Sequence, residues 1–198
     1  MLESDVLVVA CGPWSYEANE WFEDPVLPQI TGVKCHSILV PSARGKPNTQ
    51  AVFFDSNGAI GAEGDLEVYP RPDGDSYVNG FANEEGICTE APGKEAVEDD
   101  KIALLREAMD FVEQVQGESY DTDIQEAPRD HTQQVCYWPE TPSGFPIIGK
   151  IPKIQGAYVA VGHSVWGILQ GPPTGKGLAE LIVKGKYESV DLYPFGLE

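Results

Sequence analysis

The sequence predicts a mixed α/β fold of the α+β kind, and three observations predict it. Both ends read as a strand running into a helix: DVLVVAC leads into residues 14–22, and GAYVAVG leads into a helix that closes near residue 183. The middle reads as short antiparallel strands around a tight hairpin. One amphipathic helix, DKIALLREAMDFVEQVQG, follows the strands.

In order, DVLVVAC is rich in β-branched residues and stops at Gly12-Pro13, the pattern of a strand buried on both faces of a parallel sheet. Its partners need not all be encoded in this chain. Pro13 precedes a short helix over residues 14–22, which the run EDP ends. Residues 33–41 alternate as a strand, residues 42–50 form a polar loop, and AVFFD is a second strand. LEVYPR and SYVNGF flank PDGD, whose Asp73-Gly74 suits a turn with positive φ. Residues 84–100 are acidic and hold Gly and Pro, the mark of a solvated loop without the Asp spacing of an EF-hand. In the amphipathic helix, Leu105, Met109 and Val112 fall at i, i+4, i+7 beside Ile102, Ala108 and Val115, and Gly117 ends it. That stripe reads as core packing. TQQVCYWPETPSGFPIIG is extended and broken by prolines, and residues 156–162 form another buried strand. The last helix is expected over residues 174–183.

Charge excludes several functions. The 198 residues carry 32 Asp plus Glu against 13 Lys plus Arg, a formal net charge of −19. Such a surface repels phosphate backbones and anionic lipid, so no nucleic acid or membrane partner is expected. The opening apolar run is too short to span a bilayer and follows Glu3 and Asp5 rather than basic residues, so it does not read as a signal peptide. Cys11, Cys35, Cys88 and Cys136 make no CxxC pair and read as free thiols of a reducing, cytoplasmic compartment. His36, His131 and His163 are scattered and no HExxH occurs, so no metal site is expected.

The stretch GHSVWGILQGPPTGKGLAELI packs five glycines and two prolines ahead of a good helix former. A helix start exposes unpaired N–H groups and about half a positive charge. Glycines there allow an anionic or electron-rich group close to the backbone. TGKG is not a phosphate loop: Gln170 stands where the first glycine of GxxxxGK[ST] belongs, and Gly177 replaces the Ser or Thr. From spacing alone, a tight turn without ligand and a cofactor contact are both open.

Two regions resemble the FAD-dependent oxidoreductases of the D-amino-acid oxidase superfamily, which includes glycine oxidase and sarcosine oxidase. TPSGFPIIG, the strand GAYVAVG, GHSVWG and TGKGLAELI follow that family's T-x-D-G-x-P-x-I-G, strand, G-H-x-x-x-G and T-G-x-x-x-A-E-L-I. DVLVVACGPWS resembles its strand ending in A-x-G-x-W-S, and LEVYPRPDG its Y-x-x-P-R-x-D-G hairpin. The resemblance covers nearly the whole chain in the right order. It implies that residues 1–32 and 140–198 are part of a Rossmann-like FAD-binding domain. Residues 33–139 are then a substrate-binding domain of mainly antiparallel sheet with one packed helix. It also implies FAD as cofactor and oxidation of the C–N bond of a small amine or amino-acid-like substrate. By position, Gly162, His163, Gly167 and Ile168 line the flavin, Pro172, Thr174 and Gly175 sit at the helix mouth, and Gly12 lies near the dinucleotide portion. The helix start then faces the pyrimidine end of the flavin ring, where negative charge develops on reduction. His163 reads as a structural or flavin hydrogen-bonding group, and no catalytic residue is assigned.

Three departures from the pattern matter. GxGxxG is absent, and Gly58, Gly61 and Gly64 have the wrong spacing, so the chain reads as the C-terminal half of such an enzyme without its pyrophosphate-binding unit. Trp138 stands where amino-acid-oxidising relatives place an Arg that grips the substrate carboxylate; it is an aromatic substrate wall or strand packing. Ser143 replaces the Asp of the same motif. Cys136 lies where sarcosine oxidases attach flavin covalently, and the other reading is a small strand cysteine. The alternative to a partial oxidoreductase is a non-catalytic acidic interaction module, which the missing GxGxxG favours.

Overall fold

The computed structural model describes residues 4–41, 49–55, 64–82, 85–86, 88, 90–115 and 132–197. The fold is mixed α/β: nine strands, two α-helices and short 3₁₀ segments among the described residues. The strands are β1 (Leu7–Val9), β2 (Thr31–Val40), β3 (Val52–Asp55), β4 (Asp65–Pro70), β5 (Ser76–Gly80), β6 (Glu85–Gly86), β7 (Thr132–Glu140), β8 (Ile147–Lys150) and β9 (Ala157–Val161). The α-helices are α1 (Asp99–Val115) and α2 (Gly167–Lys184). One sheet has the order β1-β9-β8; the other has the order β3-β4-β5-β2-β6, with β7 also paired to β2.

The chain divides into two compact units. The first is Met1–Val33, Glu85–Pro92 and Tyr137–Glu198; the second is Lys34–Glu84 and Gly93–Cys136. Both β2 and β7 begin in one unit and end in the other. The acidic segment over residues 85–92 joins the first unit through side chains. Trp14 Nε1 donates to the Glu90 carbonyl at 2.8 Å, and the Tyr137 hydroxyl donates to Glu90 Oε2 at 2.5 Å.

In the second unit the expected hairpin forms. Pro70 pairs with Ser76, and Gly74 takes φ +98° in the turn between them. Alternation then puts Val68, Val78 and Ile38 in one cross-strand row, since Ile38 pairs with Val78 and Val68 pairs with Val78. Ile102, Leu105, Ala108 and Met109 of α1 pack on that face together with Val40, Leu66 and Phe81. The expected helical stripe is therefore core. Its continuation at Val112, Val115 and Gly117 lies outside the described side chains and residues. Each fully buried Val, Leu or Ile of this layer contributes about 1.5–3 kcal/mol.

The first unit is built on β1-β9-β8. Alternation along β9 sends Ala157, Val159 and Val161 to one face, against Val9, Ile147, Ala18, Leu27 and Ile30. It sends Tyr158 to the other face, against Ile148, Leu178, Leu181 and Leu192. The connector over residues 25–28 is held by Asn19. Its Oδ1 accepts the N–H groups of Val26 and Leu27 at 2.8 and 2.9 Å, and its amide donates to the Leu27 carbonyl.

Three expectations change here. The opening strand is parallel to β9 as expected, yet it is not covered on both faces. Val9 is fully buried, while Val6, Leu7 and Val8 are each about 40% exposed, because among the described residues β1 pairs only with β9. The short helix after it is a 3₁₀ helix, Gly12–Trp21, with Pro13 in its first turn. The last helix begins at Gly167 rather than near residue 174. No described helix is long and apolar enough to cross a membrane.

A fully buried histidine sits in the core of the second unit. His36 is fully buried; its Nε2 accepts the Glu98 N–H at 3.1 Å just ahead of α1, and its Nδ1 finds no partner among the described residues. Burial above all holds His36 below its ordinary value of 6.5, against the opposing pull of the Glu98 carboxylate. The unfolded chain therefore takes up a proton that the folded chain refuses. The stability that neutral His36 contributes is full above about pH 6.5 and is lost as pH falls from there toward the lower folded value. Urea unfolding followed through the β5 amide signals should show a midpoint that drops between about pH 7 and about pH 5, and His36→Asn should flatten that drop. An unchanged slope in the variant would refute the assignment.

Candidate functional site

Parallel pairing brings the two ends of the chain to one edge. Leu7 pairs with Ala157 and Val9 with Val159, so β1 and β9 point the same way. Gly12 and Gly162 then follow adjacent parallel strands at their C-terminal ends, the edge where open α/β sheets hold ligands. Gly12 takes φ +59° and has nothing within 4 Å of the position a Cβ would occupy. Beyond it, the Cys11 N–H donates to the hydroxyl of fully buried Ser15 at 3.0 Å, which fixes the turn into the 3₁₀ helix.

Gly162 is held from the other side. Its φ is +82°, and a Cβ there would lie 2.2 Å from Thr141 Cγ2 and 3.6 Å from Pro146 Cα. No other residue fits both the dihedral and the space. Thr141 is buried, and its hydroxyl donates to the Phe145 carbonyl at 2.6 Å, which leaves the methyl toward Gly162. The replacement of Asp by Ser143 keeps the turn. Ser143 Oγ accepts the Phe145 N–H at 3.3 Å, the bond an Asx turn would make, and Gly144 N donates to the Thr141 carbonyl at 3.0 Å.

From Gly162 the chain passes through His163 and Ser164, then a 3₁₀ turn over Ser164–Trp166, into α2. Ser164 is left-handed at φ +50°. Its hydroxyl donates to Glu140 Oε1 at 2.5 Å. His163 is half-buried; its Nε2 bonds Thr174 Oγ1 at 2.9 Å, and burial lowers its pKa. The imidazole is thus tied to the second turn of the helix and is not a free base.

No side chain caps the start of α2, and its first turn is exposed: Ile168 is 98% and Leu169 72% accessible. Gly167, Gly171 and Gly175 recur every four residues along one stripe, and Gly171 and Gly175 have nothing within 4 Å of an added Cβ. The stripe fronts open space among the described residues. Pro172, Thr174 and Gly175 do not sit at the helix mouth, as the sequence suggests, but in its second and third turns; the mouth is Gly167, Ile168 and Leu169. Pro172 and Pro173 deprive the Ile168 and Leu169 carbonyls of their helical donors. Both of those residues are exposed, so water can take the place of the lost bonds.

Trp138 is half-buried on β7, two residues before Glu140. Cys136 belongs to the second unit and is a free, exposed residue. The packing around its sulfur raises its pKa, by desolvation first and the Glu95 carboxylate second, so nothing there favours the thiolate. No cluster of metal-ligating side chains occurs among the described residues. Sequence reasoning missed Glu140 and Ser164. The left-handed serine has no local signal, and its partner is 24 residues away.

Comparison with known proteins agrees with this architecture. Residues 2–181 match the family described as DAO, FAD dependent oxidoreductase. A Schizosaccharomyces pombe protein named as an oxidoreductase is 33% identical over 192 residues, 96% of this chain and 45% of that protein. A Saccharomyces cerevisiae protein likewise named as an oxidoreductase is 29% identical over 198 residues, 94% of this chain and 33% of its own length. The chain thus spans less than half the length of these relatives. The crystal structure of glycine oxidase from Geobacillus kaustophilus superposes with a TM-score of 0.69 at 21% identity, over 98% of this chain and 45% of that one, a likeness of fold.

Two glycines of the loop and helix should respond oppositely to alanine. Gly162→Ala forces a methyl into Thr141 at positive φ and should cost about 3 kcal/mol. Gly171→Ala adds a methyl in open space on a helix and should gain up to about 1 kcal/mol. All four tryptophans lie in the first unit, so thermal unfolding followed by tryptophan fluorescence reads both.

Proposed function

The chain belongs to the DAO family of FAD-dependent oxidoreductases, and from that premise we propose that it supplies the flavin-ring contacts and part of the substrate wall of an enzyme that oxidises the C–N bond of a small amine or amino-acid-like molecule. The observation that carries this reading is the uncapped start of α2, fronting open space at the C-terminal edge of the parallel strands. The donor set fits a flavin: free backbone amides, about half a positive charge, and a stripe of glycines that admits a flat ring close to the backbone. When bound, FAD would supply the electron-accepting chemistry that takes a hydride from the carbon beside the amine nitrogen.

The chain's own residues have distinct parts in this. The first-turn amides of α2, at Gly167, Ile168 and Leu169, would stabilise the negative charge that a flavin takes up on reduction. Gly162 and His163 line the approach, with the imidazole locked by Thr174. Gly12 leaves room for the dinucleotide portion. The exposed Ile168 and Leu169 side chains would help exclude water. No arginine occurs anywhere in the first unit. With Trp138 at the position of the carboxylate-gripping Arg, the substrate is one that this unit does not hold by a two-point carboxylate clamp.

A second reading, a non-catalytic acidic interaction module, draws on the exposed apolar residues Val6, Leu7 and Val8 and on the absence of GxGxxG. The two readings part on flavin. Added FAD should shift the visible spectrum on mixing with the purified chain, and acid precipitation should return the flavin to the supernatant. Yellow colour kept in the pellet would assign Cys136 as a covalent anchor. Gly175→Ala should raise the melting temperature yet weaken flavin binding, because its methyl would enter the space the ring needs. A chain that leaves the spectrum of added FAD unchanged would mean that flavin is held only when a GxGxxG-bearing unit is supplied, or that the chain is the interaction module.

A further inference from the structure

We infer that Glu140 is a positioning residue: by accepting the Ser164 hydroxyl it holds Ser164 in the left-handed backbone region and so sets the direction in which the chain enters α2. Three observations converge on this. Ser164 sits at φ +50°, a region that a residue with a Cβ occupies only when its surroundings impose it. Its hydroxyl spends its proton on Glu140 Oε1 at 2.5 Å, a charge-assisted bond from a half-buried carboxylate. Glu140 is followed directly by Thr141, whose methyl fills the space against Gly162. The last residue of β7 and the one after it therefore grip the loop at two points, one steric at residue 162 and one polar at residue 164.

A glycine at position 164 would take the left-handed conformation without strain, and it would take others as readily. Serine with a carboxylate partner takes one. The carboxylate also stands near the start of a helix, where negative charge is favoured. Between the two gripped residues lies His163, whose Nε2 bond to Thr174 forms only if the loop enters α2 in this direction. His163 is thus a built-in reporter of the grip.

The consequence for cofactor binding rests on the flavin reading above, so the decisive experiment is done without flavin. The imidazole of His163 is titrated by NMR in the wild-type chain and in Glu140→Ala, Glu140→Gln and Ser164→Ala, with His163→Gln used for assignment. Burial lowers the wild-type His163 pKa from its ordinary 6.5. Loss of the grip loosens the loop, hydrates the ring and moves the titration upward, toward 6.5, in Glu140→Ala and in Ser164→Ala. Removal of a nearby negative charge alone would move it downward, so the sign separates the two effects. Glu140→Gln keeps an acceptor for the Ser164 hydroxyl and should titrate at or below the wild type. Upward shifts in both alanine variants, rescue by glutamine and unchanged amide signals in β8 and β9 support the inference. A downward or absent shift in Ser164→Ala, which leaves the carboxylate in place, overturns it. If the chain binds FAD, both alanine variants should bind it about tenfold more weakly, the scale of one hydrogen bond to a charged group. Loosened loops with unchanged flavin affinity would count against the flavin reading and not against the grip.

Discussion

The close approach of Gly162 to Thr141 is the constraint on which the first unit's edge at the C-terminal ends of β1 and β9 depends. Thr141 is buried and its hydroxyl is committed to the Phe145 carbonyl, so its methyl can only face the strand end. A side chain at position 162 would collide with that methyl at 2.2 Å. The glycine lets β9 end against the turn after β7, and its positive φ starts the path that Ser164 completes. That contact fixes one end of the loop into α2, and the bond from Ser164 to Glu140 holds it two residues further on. Between these two points lies His163, whose Nε2 bonds Thr174 Oγ1 at 2.9 Å.

The two units solve their packing in different ways. In the second, antiparallel strands present one apolar face to α1, and the buried His36 imidazole bonds the backbone ahead of the helix. In the first, β8 and β9 are covered on both faces, one by the 3₁₀ segment with its connector and the other by α2. β1 has one neighbour among the described residues, and its exposed valines and leucine are the direct result.

Helix α2 divides along its length. Its second half buries Leu178 and Leu181 against Tyr158 and Ile148, which contributes about 1.5–3 kcal/mol for each leucine. Its first half exposes glycines, prolines, Ile168 and Leu169. The packed half anchors the helix while the other half stays open. The formal charge of −19 belongs to the outer surface and speaks to solubility, while the helix start offers a local positive field.

The sequence by itself determined the mixed α/β class, the Asp73-Gly74 hairpin, the apolar stripe of α1 and the family of the chain. Each of these rests on local periodicity, turn chemistry or a contiguous motif. Glycines at 12 and 162 were also legible, because a required dihedral leaves its mark at the residue that adopts it. Tertiary structure alone decided the rest. Proline rules place a helix start after Pro172 and Pro173, yet α2 begins at Gly167, since the carbonyls those prolines leave unbonded belong to exposed residues. The cover of β1 depended on how many neighbours it finds, which no window of its own sequence contains. The bond from Ser164 to Glu140 joins residues 24 apart, and neither carries a sign of the other. Short-range physics writes itself into neighbouring residues; contacts made by folding distant segments together do not.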